Sequence, residues 1–130
     1  MFIKNVIMLA GGKASIHNIY WDVTKKITIN AYNNFKHLNF DDENIYYMIN
    51  SHIIDINHDD IADNVVDSYS PTVESFLYAI ENRYVSELTS DDALLIYMFG
   101  HGTKDKRFQV LGVDTNDLNT ALDFLQHQTN

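Results

Sequence analysis

The chain has 130 residues, 45% of them hydrophobic and 12% aromatic, with 18 acidic against 9 basic side chains for a formal charge of -9. That apolar content suits a single folded domain over 1–130, while the acidic balance argues against nucleic acid or an anionic membrane surface as partner, since both are bound by clustered Lys and Arg. There is no cysteine, which excludes disulfides, thiolate zinc sites and a cysteine nucleophile within these residues.

No apolar run approaches the ~20 residues of a spanning helix. Met1-Phe2-Ile3-Lys4 leads almost at once into the first apolar run, without the charged lead and long apolar stretch of a signal peptide. The compartment therefore stays open between the cytoplasm and, if the native start lies upstream, secretion.

In chain order, Lys4–Leu9 is a short apolar run that predicts a buried strand, and Ala10-Gly11-Gly12 predicts a turn after it. Gly11-Gly12-Lys13 invites a phosphate-loop reading, but no glycine stands five residues ahead of the Gly-Lys pair, so a plain strand-to-loop turn is the simpler reading. Asp22–Leu38 predicts a helix, with Val23, Ile27, Ala31, Phe35 and Leu38 at intervals of three and four, a cap at Asp22 or Thr24, and a left-handed stop at Asn39. Asn44–Ile49 is aromatic and β-branched and predicts a second strand. After an irregular acidic stretch over 51–70, Ser70-Pro71 predicts a helix start, with Val73, Phe76, Leu77, Ile80, Tyr84 and Leu88 as its buried stripe. Phe108–Leu111 predicts a short strand. Asn116 or Asp117 would cap a last helix carrying Leu118, Ala121, Leu122 and Leu125.

The most informative stretch is Asp92–Gly102. The unbroken apolar run Ala93–Phe99 predicts a central strand covered on both faces. It runs directly into Gly100-His101-Gly102, so one imidazole stands at the carboxyl end of a strand, where open α/β sheets place their chemistry. Strands alternating with helices imply a mostly parallel sheet with right-handed crossovers and helices on both faces. The final helix should deliver a further strand, so the domain is expected to be incomplete at this point.

Three stretches together resemble the legumain-like (C13) peptidases of the caspase-fold cysteine peptidases. They are the strand ending at Ala10-Gly11-Gly12 with Asn18 and Ala31-Tyr32, the loop and strand Asp41–Met48, and the hydrophobic strand ending in His101-Gly102. The resemblance implies a three-layer caspase-like sheet of flavodoxin-like strand order. It implies peptide-bond hydrolysis by a Cys–His pair, with a peptide or protein as substrate and no cofactor required. His101 would be the acid–base group, the Gly102 backbone N–H would contribute to the oxyanion site, and Asn18 would orient the imidazole. The cysteine strand is missing, so this chain alone is expected to be inactive. Two departures are visible: Gly100 replaces the acidic residue that often precedes His-Gly, and Tyr20-Trp21 stands where legumains carry an Arg-His pair for asparagine. Asparaginyl specificity is therefore not carried over.

The acidic stretch places Asp55, Asn57, Asp59 and Asp63 at relative positions 1, 3, 5 and 9, the opening of a calcium loop. Two of its requirements fail, since Asp60 replaces the turn glycine and Val66 the bidentate glutamate. Calcium is the ion these oxygens would take; a solvated acidic loop is the simpler reading. Two non-peptidase readings stand beside the first. One is a caspase-like binding module without a nucleophile, dimerising through the sheet edge beyond the His101 strand. The other is a flavodoxin-like small-molecule binder using Gly11-Gly12-Lys13.

Overall fold

The computed structural model describes residues 2–101, 108 and 113–129. The elements are β1 (Phe2–Lys13), α1 (Trp21–His37), β2 (Ile45–Asn50), α2 (Val73–Asn82), β3 (Asp92–Phe99) and α3 (Thr115–Thr129), with one 3-10 turn at Asp42–Asn44 before β2. The three strands form an all-parallel sheet in the order β2-β1-β3. This is the flavodoxin-like arrangement, with helices on both faces.

The period of two along each strand assigns the layers. Val6, Met8 and Ala10 of β1, Ile45, Tyr47 and Ile49 of β2, and Leu95 and Tyr97 of β3 face α1 through Trp21, Ile29 and Tyr32. Their neighbours Ile7, Leu9, Met48, Leu94, Ile96 and Met98 face α2 and α3 through Phe76, Ile80, Ala121 and Leu125. Chain flow from β1 to β2 passes over one face, and from β2 back across β1 to β3 over the other. Opposite directions over opposite faces give both crossovers the same hand.

The central strand is β1, with Val6–Ala10 all at 0% exposure. The expectation that the His101 strand is central is therefore corrected: β3 lies at an edge, and among the described residues it pairs with β1 alone. Its side chains are covered above and below, as the unbroken apolar run requires, yet all eight residues remain partly exposed, and no strand among the described residues pairs along its outer edge. The outer edge of β2 is treated differently. The returning acidic segment lies along it: Ser68 bridges Met48, the Asp67 N–H donates to the Tyr47 carbonyl at 2.9 Å, and the Tyr47 N–H donates to the Asp67 carboxylate at 2.8 Å.

Several boundaries shift for identifiable reasons. β1 continues through Gly11 and Gly12, so the expected glycine turn is a register irregularity inside the strand, with Gly12 at φ +100°. The buried stripe of α1 is Trp21, Thr24, Thr28, Ile29 and Tyr32, while Val23 and Leu38 are exposed. Counting only apolar residues missed the threonines; the Thr28 hydroxyl is satisfied internally by the Thr24 and Lys25 carbonyls and by Tyr47. Asn39 does terminate the helix in the left-handed region, at φ 68°. α2 starts at Val73 because Thr72 and Ser75 form a reciprocal capping box, not at the expected Ser70-Pro71. It ends at Asn82, so Tyr84 and Leu88 reach the core from the turns that follow. α3 begins two residues after Val113, with Asp114 and Asp117 exchanging backbone-to-carboxylate hydrogen bonds at its start. Of the expected strand over 108–111, Phe108 is described and bridges Val113 antiparallel; residues 109–111 lie outside the described set.

Candidate functional site

The carboxyl ends of β1 and β3 are neighbours, with Ala10 opposite Phe99. After β1 the chain leaves over the α1 face, and after β3 it proceeds to α3 on the other face. Adjacent strands whose connections depart in opposite directions open a crevice between them. A cavity of about 500 Å³ lies there, walled by Gly11, Gly12 and Lys13 from the end of β1, by 15 and 17–20 from the following loop, and by His101.

The loop is braced from within. The Asn18 side-chain amide donates to the Lys13 carbonyl at 3.1 Å, the Asn18 N–H to the Ser15 carbonyl at 3.1 Å, and the Trp21 N–H to the Asn18 carbonyl at 3.2 Å. Trp21 is buried and anchors the start of α1 in the core. Gly12 belongs to the same brace, since a Cβ there would lie 2.9 Å from Asn18 Nδ2 at a backbone angle side chains resist. Asn18 and His101 thus share one cavity, but the donor of Asn18 is held by Lys13. The ring that meets the imidazole belongs to Tyr20, with centroids 5.3 Å apart and planes tilted by 52°. From the sequence Tyr20 stands out only as lying where legumains carry an Arg-His pair, not as a neighbour of His101; the further signal was an aromatic residue directly before α1, at a position where Ser, Thr, Asp or Asn would cap.

Gly100 has a steric reason. The Phe108 ring lies over the two glycines, so that a Cβ on Gly100 would stand 2.8 Å from Phe108 Cζ and 3.1 Å from the Gly11 Cα, and one on Gly11 2.6 Å from Phe108 Cε1. An acidic residue before His101 would collide with this packing. The cavity is lined by Lys13, His17 and His101, and by no Asp or Glu among the described residues. Gly102 lies outside the described residues, so its N–H is not located.

The acidic loop is a second, separate feature. Asp55 accepts the N–H groups of Asp59 at 3.2 Å and Asp60 at 2.8 Å, Asn57 accepts Asp59 N–H at 3.3 Å, Asp59 accepts Ile61 N–H at 2.9 Å, and Asp63 accepts Ile56 N–H at 2.9 Å. All four proposed calcium ligands are thus turned onto backbone donors of their own loop. Partial desolvation raises the Asp55 pKa, but backbone N–H groups over 57–60 outweigh it and hold the carboxyl below its ordinary value. His58 and Asp60 both take positive φ, so the place of the missing turn glycine is left-handed all the same. Among the described residues, no group of three or more His, Cys, Asp or Glu is placed to hold a metal ion. Nor, among them, is any helix long and apolar enough to cross a membrane.

No family model matches this chain, and neither a curated protein nor a solved structure matches it.

Proposed function

We propose that this chain is the histidine-bearing part of a C13-like cysteine peptidase domain. The reading is supported above all by the position of His101, at the carboxyl end of β3 on a cavity at the sheet's switch point, with Asn18 in the same wall. The thiol would come from outside these 130 residues, which contain no cysteine. In the reaction, a thiolate attacks the scissile carbonyl carbon and the carbonyl electrons move to oxygen. As that oxyanion collapses, the C–N bond breaks and the His101 imidazolium gives its proton to the departing amine. Water then attacks the thioester carbonyl while the now neutral imidazole takes up its proton; collapse of this second tetrahedral intermediate breaks the C–S bond, returning the thiolate and releasing the acid product. The Gly102 N–H would stabilise the oxyanion. No cofactor enters these steps.

The test is a polypeptide encoded by the reading frame extended past Asn130, treated with a thiol-directed peptidyl probe. Covalent labelling that is lost in His101→Ala supports the proposal. An extended frame with no cysteine-bearing strand, or labelling indifferent to His101→Ala, overturns it.

The unequal sheet edges favour one second reading, a non-catalytic module that pairs β3 with β3 of another copy. β2 is sealed by Asp67 and Ser68, whereas β3 carries no Lys, Arg or Pro that would discourage a further strand. Sedimentation equilibrium decides it: a concentration-dependent dimer supports the module, and a monomer throughout removes it.

A further inference from the structure

We propose that Tyr20 is the positioning residue for the His101 imidazole, a role that rests on the peptidase reading above. The backbone of Tyr20 is fixed from both sides. Its carbonyl accepts the Thr24 N–H at 2.9 Å, and the next residue, Trp21, is buried in the core. Among the described residues the side chain makes no hydrogen bond and no ring contact other than that with His101. It makes no capping bond to α1, although Tyr20 occupies the cap position, and it is 53% exposed. Its ring contact is with His101, within the range in which aromatic rings attract one another.

Asn18, the other residue suited to hold the imidazole, has its amide donor engaged by Lys13. His101 itself follows a glycine and stands exposed beyond the end of β3, so its backbone alone leaves the ring free to turn. This pair of rings joins two different elements, the entrance to α1 and the end of β3. A tilted ring beside the imidazole restricts its rotation while leaving both ring nitrogens available for proton transfer. Holding an acid–base group in one orientation is worth large factors in rate, because misplacement of about 1 Å can cost on the order of a hundredfold.

The test has two arms. In the 130-residue chain, the His101 ring protons, assigned by their loss in His101→Gln, should carry a ring-current shift. That shift should persist in Tyr20→Phe and vanish in Tyr20→Leu and Tyr20→Ala, while the amide signals of β1 and β3 stay in place. Identical His101 ring signals in wild type and Tyr20→Leu overturn the inference. In the extended polypeptide, probe labelling should slow by on the order of tenfold or more in Tyr20→Leu and recover in Tyr20→Phe. Equal rates in wild type and Tyr20→Leu overturn it as well. If the wild-type extended polypeptide does not label, the peptidase reading fails by itself, and the ring spectra still decide whether Tyr20 holds His101.

Discussion

Thr28 and Tyr47 share a 2.6 Å hydrogen bond between hydroxyls that are both wholly buried, and it joins α1 to β2 across the core. The Thr28 hydroxyl also donates to the carbonyls of Thr24 and Lys25, which leaves its oxygen to accept from Tyr47, and Tyr47 stacks on Tyr32 at 5.8 Å. The pair turns what reads as a polar interruption of α1 into part of its buried face.

Thr28→Val strands the Tyr47 hydroxyl in an apolar setting. It should cost about 1–3 kcal/mol in urea denaturation. Because Tyr47→Phe removes the stranded group, the double variant should cost less than the sum of the two single variants. Strict additivity would show that the hydroxyls do not interact.

Alkaline pH should unfold the chain through its buried phenols. Burial pushes the Tyr47 pKa up from 10.0 to about 12, and burial likewise raises Tyr32 and Tyr84. Below pH 10 Tyr47 is neutral in both folded and unfolded chains, and its contribution is constant. Between pH 10 and 12 the unfolded phenol ionises first, so stability falls by up to about 1.4 kcal/mol per unit for this group. Urea midpoints measured up to pH 11 should decline less steeply in Tyr47→Phe than in the wild type.

Gly100→Ala should destabilise the end of β3 by about 1–3 kcal/mol, since its Cβ meets both the Phe108 ring and the Gly11 backbone. Adding Phe108→Ala should restore part of that loss. Chemical denaturation of the two variants and their combination decides the point; no recovery in the combination would place the clash elsewhere.

Asp55→Ala removes the acceptor for two backbone N–H groups that shape the acidic loop. Amide exchange at Asp59 and Asp60 should quicken while exchange in β1 stays slow. Unchanged exchange at both amides would mean that the positive φ angles at His58 and Asp60 hold the loop without the carboxylate.

Much of this architecture was legible in the chain because β strands and helices of opposite periodicity alternate. The doubly covered strands show as unbroken apolar runs, and the left-handed stop at Asn39 is a local chemical preference. What escaped was decided between distant residues. The central place of β1 depends on a partner some eighty residues later, and an apolar run looks the same in the middle of a sheet and at its edge. The threonine face of α1 is invisible to a hydrophobicity pattern, because the bond that lets Thr28 be buried reaches Tyr47 on β2. The site divides in the same way. His101 was marked by its glycines and its strand, whereas Tyr20 is identified as its neighbour only once α1 and β3 are placed together.

The strand order has a consequence for how the molecule is made. β1 precedes both of its partners in the chain, and Asp92 begins β3 some eighty residues after Lys13 ends β1. At roughly 5–20 residues per second, the most water-averse strand waits several seconds on the ribosome for the neighbour that completes it. All of its pairings are parallel and distant in sequence, the kind that form slowly. Nascent chains interrupted before Phe99 would expose Val6–Ala10 with one edge unmatched, and such fragments are natural clients for chaperones that bind extended apolar segments.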